Sequence, residues 1–217
     1  MPKVWLTRTR PAADESAVIW RVAGFEPVID PLLKIEPVAH DPLPKEAVII
    51  FTSKNGVDNA IGGGQRAICV GDATAQKARE AGYRDVISVN GTSVEVKTWL
   101  RENLPKTQDI CHASGWHAYG SITENLKRWG FKARRVKTYR SVPYPIWPED
   151  AFSGVVFYSP LAAQVFAGMC EKKDVSSITA VCISKNTAKE LTGLELKSIC
   201  IANRPREDEL IMAAKLG

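Results

Sequence analysis

Short runs of apolar residues alternate along this chain with longer segments in which apolar positions recur at helical spacing. Nine runs have the near-continuous apolar character of strands that are buried on both faces of a parallel sheet. The predicted strands are Val4–Leu6, Phe25–Ile29, Ala47–Thr52, Ala67–Val70, Val86–Val89, Asp109–Ala113, Val155–Tyr158, Ala180–Ile183 and Ser198–Ala202. Regular alternation of such strands with helices predicts an α/β fold with parallel sheets.

Residues with strong capping preferences mark the ends of the predicted helices. Glycine readily adopts the left-handed conformation that ends a helix, whereas proline and hydroxyl residues favour the first turn or the N-cap. The predicted ends are Gly24, Gly82 after Ala73–Ala81, and Gly130 after Ala118–Trp129. The predicted starts are Pro11, Thr92 or Ser93 before Val94–Glu102, Ser159 with Pro160 before Leu161–Cys170, and Pro205.

Two proline-rich segments interrupt the alternation. Pro31–Pro44 and Pro143–Pro148 each adjoin an extended stretch, Ile35–Val38 and Val136–Tyr144 respectively. Such segments make poor core elements and good linkers. We therefore predict linkers at about 34–42 and 136–148, a discontinuous α/β domain of residues 1–35 plus 142–217, and an inserted α/β domain of residues 39–138.

A short internal repetition supports this division. Residues 51–56 (Phe-Thr-Ser-Lys-Asn-Gly) resemble residues 157–162 (Phe-Tyr-Ser-Pro-Leu-Ala), and residues 69–75 resemble residues 182–188 more closely. Both pairs run from a strand through a small polar turn into a helix, an order that unrelated α/β proteins also show. The repetition favours two domains of similar architecture.

Composition and charge narrow the class of protein. The chain has 217 residues, of which 45% are hydrophobic, so it can bury a core and wholesale disorder is not expected. Its net charge of +5 suits an anionic small molecule at least as well as DNA, and solubility alone would also explain it. No basic helix or aromatic-basic stripe is present, so nucleic-acid binding is the weakest interpretation and none is predicted.

Cysteine and histidine positions do not indicate a metal centre. The five cysteines lack C-x-x-C spacing, and four lie in apolar runs, as expected of core residues in a reducing compartment. His112 and His117 have no acidic or thiol partner at a suitable spacing, so no metal is expected. No signal-peptide core or apolar stretch of about 20 residues is present. We expect a cytoplasmic protein with no membrane partner and, because no apolar surface pattern demands a partner, a monomer.

Small hydroxyl residues and glycines follow nearly every predicted strand and lead into a helix. In open parallel sheets, ligands bind beyond the carboxyl ends of the strands, where helix N-termini present N–H groups to anions. The candidate anion-binding residues at these ends are Thr7, Arg8, Arg10, Thr52, Ser53, Lys54, Asn55, Thr74, Ser114, Ser159, Ser184 and Thr187. Each hydroxyl taken singly also fits a structural helix cap. Taken together, the set favours a site for a polyanionic ligand.

The sequence contains no signature of a cofactor or of a covalent nucleophile. It has neither a Gly-x-x-x-x-Gly-Lys-Ser/Thr phosphate loop nor a Gly-x-Gly-x-x-Gly after a strand, and it has no Gly-x-Ser-x-Gly elbow. No cofactor is therefore expected. Catalysis would rest on positioning and on hydrogen bonds to an intrinsically reactive substrate.

Several motifs, taken in order, resemble those of the uroporphyrinogen-III synthase family. The strongest is Phe-Thr-Ser-Lys-Asn-Gly-Val at residues 51–57. The others are Leu6-Thr7-Arg8 with Gly24, residues 31–37, Val70–Ala75 with Gly82, Val136–Tyr139 and Phe157–Ala163. The resemblance runs from residue 4 to about residue 210. Two positions depart from the family: Ser184 stands where glycine is usual, and Arg206 stands where serine or threonine is usual.

The resemblance implies two flavodoxin-like or Rossmann-like α/β domains with parallel sheets, joined by a two-stranded linker, with the active-site cleft between them. It implies a cofactor-free lyase of tetrapyrrole (heme) biosynthesis whose substrate, hydroxymethylbilane, carries eight carboxylates. Loss of water and inversion of ring D through a spiro intermediate would give uroporphyrinogen III. The family motif places Tyr139 at the interdomain connection, as the candidate donor to the leaving hydroxyl.

Other interpretations stay open on the sequence alone. A non-catalytic two-domain protein that closes on an anionic ligand would use the same strand-end turns. A flavodoxin-like enzyme acting on a nucleotide or sugar phosphate is disfavoured because the phosphate fingerprints are missing. For Tyr139, the alternative is a packing role with a satisfied hydroxyl.

Overall fold

The chain divides into two units. The structure is a computed structural model that describes residues 1–117 and 121–216. Residues 1–34 and the residues from 142 onward form one unit, which we call the terminal unit, and residues 35–141 form the central unit. Among the described helices, none is both long enough and apolar enough to cross a membrane.

Strands and helices alternate along the whole chain. The strands are β1 (Lys3–Leu6), β2 (Glu26–Ile29), β3 (Leu33–Pro37), β4 (Val48–Phe51), β5 (Arg66–Cys69), β6 (Arg84–Ser88), β7 (Asp109–Gly115), β8 (Lys132–Pro143), β9 (Gly154–Phe157), β10 (Thr179–Cys182) and β11 (Ser198–Ile201). The helices are α1 (Ala12–Val22), α2 (Lys54–Asp58), α3 (Asp72–Glu80), α4 (Ser93–Asn103), α5 (Ile122–Arg128), α6 (Pro160–Met169), α7 (Lys185–Lys189) and α8 (Glu207–Leu216). The nine predicted strands are confirmed, with ends that move by no more than two residues.

In the terminal unit, five parallel strands form one sheet in the order β11-β10-β9-β1-β2. Successive side chains of a strand point to opposite faces. Trp5 and Phe157 therefore pack with α6 on one face, whereas Leu6 and Val156 pack with α1 and α8 on the other. Burial on both faces explains the near-continuous apolar runs in the sequence.

The central unit contains a six-stranded sheet in the order β3-β8-β7-β4-β5-β6, in which β4 to β8 are parallel. Phe51 faces α2 and α3, and Ile50 faces α4 and α5. The chain enters this unit along β3 and leaves it along β8. The two strands are neighbours, and just beyond β3 the N–H of Val38 donates a hydrogen bond of 2.9 Å to the carbonyl of Thr138.

Both sheets share one strand order. Counted from β4 in the central unit and from β9 in the terminal unit, five strands of each sheet stand in the order third, second, first, fourth, fifth, and β3 is a sixth strand at the edge of the central sheet. In the terminal unit, the fourth and fifth strands are β1 and β2, which precede the others in the chain. The predicted α/β class with parallel sheets is confirmed. The order reverses between β4 and β7 in one unit and between β9 and β1 in the other, and ligands of open α/β sheets bind at the carboxyl side of such reversals.

The sequence repetition is also a repetition of backbone conformation. Ser53 has φ −160° and ψ 147°, and its counterpart Ser159 has φ −157° and ψ 153°. Gly71 has φ −157° and ψ 171°, and its counterpart Ser184 has φ −161° and ψ 164°. Each of the four residues lies two positions after the end of a strand and is the N-cap of the following helix. The predicted similarity of the two halves therefore extends to their turns.

Two local predictions are corrected by the structure. Strand β8 begins at Lys132, before the extended stretch predicted from Val136. The sequence pattern does not indicate these first residues, because Ala133 is buried between exposed basic residues and the run is not continuously apolar. The last helix begins at Glu207, two residues after Pro205. Residues 118–120, the start of the helix predicted over 118–129, lie outside the described residues.

Candidate active site

The candidate residues lie at the carboxyl edges of the two sheets and fall into two groups. In the terminal unit they follow the neighbouring strands β1, β9 and β10: Thr7, Arg8, Arg10, Ser159, Ser184 and Thr187. In the central unit they lie on or after the neighbouring strands β4, β5, β7 and β8: Thr52, Ser53, Lys54, Asn55, Thr74, Ser114 and Tyr139. Each unit therefore brings its own candidates to one edge.

Several candidate hydroxyls already serve the fold. Three serines each accept a hydrogen bond from the backbone of the following helix: Ser53 from Asn55 (3.1 Å), Ser159 from Ala162 (3.2 Å) and Ser184 from Thr187 (3.3 Å). A serine that accepts in this way still has its own O–H to donate. Thr7 instead donates its hydroxyl to the carbonyl of Val156 (2.6 Å), and both Thr7 and Thr187 are fully buried, which favours the structural alternative for these two.

Arg8 belongs to a cluster of polar side chains at the strand-order reversal of the terminal unit. Its Nη1 donates to Ser16 Oγ (3.0 Å) and to Glu207 Oε2 (3.2 Å). The other oxygen of Glu207, Oε1, accepts hydrogen bonds from Trp20 Nε1 (2.7 Å) and Tyr158 O–H (2.7 Å). Glu207 is not among the candidate residues named from the sequence.

The hydroxyl of Tyr158 donates a hydrogen bond to Glu207 and keeps its proton. Burial raises the pKa of Tyr158 most, and the negative charge of Glu207 raises it further. The Arg8 guanidinium carbon lies 4.5 Å from the centre of the Tyr158 ring, a cation–π contact. The arginine is thus held by an ion pair and by a cation–π contact.

The other two arginines named from the sequence have carboxylates of their own. Arg10 forms an ion pair with Asp14, one turn along α1. Arg206, where the sequence departs from the family motif, binds Asp208 with Nε at 3.1 Å and Nη2 at 2.8 Å. Both pairs are largely exposed, so they are weak and can open when another carboxylate binds.

Tyr139 lies directly on Gly115 in the central unit. A Cβ added to Gly115 would be 2.9 Å from both Cε2 and Cζ of the tyrosine ring. The two residues are register partners at a bulge between β7 and β8, and the Tyr139 carbonyl accepts a hydrogen bond of 2.7 Å from the N–H of Trp116. The ring is half-buried, and its hydroxyl makes no hydrogen bond to any residue in the described part of the chain.

The hydroxyl of Ser114 is occupied by an arginine that sequence reasoning did not select. Arg135 Nε donates to Ser114 Oγ (2.8 Å), and Nη2 donates to the carbonyls of Gly115 and of Trp116, the latter at 2.9 Å. Arg135 therefore ties the end of β7 to β8 and stabilises the backbone beneath Tyr139.

A buried histidine lies behind Thr52. His112 Nε2 is 3.4 Å from Thr52 Oγ1, and the side chain of His112 is 3% exposed. Burial, with a smaller contribution from the charge of Arg135, lowers the pKa of His112 to about 4, so the imidazole is neutral at physiological pH. Thr74 is also buried, in the first turn of α3, whereas Lys54 and Asn55 open α2 and are half-exposed.

The cysteines have the setting of core residues. All five are free thiols, and four of them are buried. Burial raises the pKa of Cys111 to about 11 and that of Cys182 to about 12. These two side chains remain protonated at neutral pH and are poor nucleophiles.

Comparison with known families decides the class of this protein. A model of the uroporphyrinogen-III synthase HemD family matches residues 14–212. The chain belongs to the uroporphyrinogen-III synthase family. The family predicted from the sequence motifs is therefore confirmed. Uroporphyrinogen-III synthases are lyases of tetrapyrrole biosynthesis that cyclise hydroxymethylbilane.

One solved structure of this family shares the fold of the chain. The crystal structure of uroporphyrinogen-III synthetase from Helicobacter pylori is 18% identical, with a TM-score of 0.63 and coverage of 100% of both chains. A mutant uroporphyrinogen III synthase from Thermus thermophilus is 15% identical, with a TM-score of 0.49 and coverage of 100% of this chain and 98% of that one. A comparison with curated proteins finds no significant match.

Proposed function

We propose that this chain converts hydroxymethylbilane into uroporphyrinogen III, with loss of water and inversion of ring D through a spiro intermediate, and without a cofactor. The family match over residues 14–212 carries the proposal. The chemistry of the strand ends supports it, because a substrate that reacts unaided mainly needs to be held in one conformation. The protein would determine which carbon of the substrate forms the ring-closing bond, and it would not need to activate an unreactive bond.

The substrate carboxylates would bind at the carboxyl edges of the sheets. Arg8, Arg10 and Lys54 supply positive charge there, and the overall charge of +5 favours an anionic ligand. Ser53 and Ser159 accept cap hydrogen bonds and retain a proton to donate to a carboxylate oxygen. Asn55, at the start of α2, adds an amide donor.

Tyr139 would donate a hydrogen bond or a proton to the leaving hydroxyl. Its hydroxyl has no partner in the described part of the chain, as expected of a group that awaits a ligand. Its ring is placed by contact with Gly115 and by the hydrogen bond between its carbonyl and the N–H of Trp116. Proton donation at this step would speed the loss of water, which produces the cation that cyclises.

We also propose the finer features predicted from the sequence. The domains would comprise residues 1–35 plus 142–217 and residues 39–138, with linkers at about 34–42 and 136–148. The protein would act as a monomer in the cytoplasm. Free thiols at all five cysteines are consistent with a reducing compartment.

An isomer assay tests the proposal. Hydroxymethylbilane is generated in place, the purified protein is added, and the oxidised products are separated into type I and type III uroporphyrins. We expect type III to dominate without added metal or nucleotide. Type I alone, formed at the spontaneous rate, would refute the enzyme and leave a protein that binds an anionic ligand without converting it. A Tyr139→Phe variant that forms type III at the wild-type rate would show that Tyr139 takes no part in the mechanism.

A further inference from the structure

We propose that Glu207 is a positioning residue that holds Arg8 for a carboxylate of the substrate, an inference that rests on the function proposed above. Glu207 opens α8 and lies 199 residues from Arg8 in the sequence. The two side chains meet at the carboxyl side of β1 and β9, where the strand order of the terminal unit reverses. This is the position at which open α/β sheets bind their ligands.

Contacts other than the ion pair with Arg8 orient the side chain of Glu207. Its side chain is 19% exposed. Trp20 and Tyr158, from α1 and from the end of β9, both donate to Oε1 at 2.7 Å. Two neutral donors on one oxygen orient the carboxylate and leave Oε2 for the guanidinium. The carboxylate is therefore anchored by two other elements of the unit.

The anchored carboxylate holds one end of the guanidinium and leaves an edge of it open. Arg8 uses Nη1 for both Glu207 and Ser16, while its Cζ lies over the Tyr158 ring. Within residues 1–117 and 121–216, Nε and Nη2 of Arg8 have no hydrogen-bond partner. The Nε–Nη2 edge is a fork that binds a carboxylate through two parallel hydrogen bonds. A third of the side chain is exposed, so a ligand can reach it.

Loss of the anchor should weaken substrate binding more than it affects the chemical step. A free arginine side chain has several rotatable bonds, and ordering it on binding reduces affinity. The variant Glu207→Gln keeps the shape of the side chain but removes the charge that holds Nη1. Glu209→Gln is the matched control, because it removes the same charge from the same helix turn and Glu209 makes no side-chain hydrogen bond or ion pair to a described residue.

A double-mutant cycle separates positioning from a general structural role. The rate of type III formation is measured against hydroxymethylbilane concentration for the wild type, Glu207→Gln, Arg8→Met and the double variant, with thermal unfolding of each. We expect Glu207→Gln to raise KM about tenfold with kcat within about twofold. Adding Glu207→Gln to Arg8→Met should not raise KM further, and Glu209→Gln alone should leave KM unchanged.

Several results would overturn the inference. An unchanged KM in folded Glu207→Gln would do so, as would an equal rise in KM in the presence and absence of Arg8. If Glu207→Gln does not fold, Tyr158→Phe removes one anchor and keeps the charge; it should raise KM less, and only when Arg8 is present. A wild-type protein that forms only type I refutes the proposed function itself, whereas type III formation with an insensitive KM refutes only the role of Glu207.

Discussion

Replacing Gly115 with alanine should displace the Tyr139 hydroxyl while leaving the fold of the central unit intact. The glycine lies under the tyrosine ring, and the added methyl group would be 2.9 Å from Cε2 and Cζ. Ordinary contacts of a Cβ atom lie at 3.4–4 Å, so the ring must move by about 0.5–1 Å. The hydroxyl, at the far end of the ring, moves at least as far.

The sizes of the stability cost and of the rate loss depend on how freely the Tyr139 ring can move. Tyr139 is half-buried, so its ring can shift toward solvent. The stability cost should therefore stay below about 1 kcal/mol, under the roughly 1–3 kcal/mol that overpacking costs in a closed core. A misplacement of about 1 Å can slow a reaction about 100-fold. We expect type III formation to slow by roughly 10- to 100-fold.

Rates of type III formation in four proteins test this reasoning: wild type, Gly115→Ala, Tyr139→Phe and the double variant. In the Tyr139→Phe background, Gly115→Ala should cause no further loss of rate, because the hydroxyl that it would displace is already absent. Gly168→Ala is the control, since its added methyl group meets open space. A folded Gly115→Ala with the wild-type rate would refute the reasoning, as would an equal loss in both backgrounds.

Three further predictions concern stability. The pKa of buried His112 is about 4 in the folded chain against an ordinary 6.5, so the free energy of unfolding should fall by about 3 kcal/mol as the pH drops from 6.5 to 4. In urea unfolding, His112→Gln should lose less stability over this pH range. An equal loss in the variant and the wild type would contradict the burial argument. Gly56→Ala should cost about 1–3 kcal/mol in urea unfolding, because its Cβ would lie 2.9 Å from the carbonyl oxygen of Ala113, whereas Gly168→Ala should be neutral or stabilising. Thr92→Ala removes the capping box of α4 and should cost about 1 kcal/mol, and an unchanged melting temperature would show that the cap is dispensable.

The strands of this fold are predictable because most of them are buried on both faces. Runs such as Ile49–Phe51 and Val155–Phe157 are continuously apolar and stand out from any helical pattern. Strand β8 is different, since it alternates buried and exposed residues, and its first residues resemble a basic surface segment. The repeated turns are predictable for a further reason: Ser53 and Ser159 are caps in the sequence and in the structure alike.

The contacts at the candidate site are less predictable because they join distant parts of the chain. Residues at the strand ends could be named from their type and position, but their partners depend on strand order and register. Ser114 meets Arg135 only because β7 and β8 are neighbours in the sheet. Glu207 meets Arg8 only because α8 and β1, from opposite parts of the chain, lie together. No local pattern carries either contact.

The permuted strand order of the terminal unit has a consequence for synthesis on the ribosome. The central unit is one continuous segment and can fold as soon as residue 141 has emerged. Strand β1, in contrast, needs β9 as its neighbour, and about 125 residues separate the end of β2 from the start of β9. At about 5–20 residues per second, the β1–β2 segment waits roughly 6–25 s with Trp5 and Leu6 uncovered. The nascent chain therefore exposes the apolar edge of β1 that will pair with β9 while the central unit can already be folded, and this interval is when chaperones would be needed most.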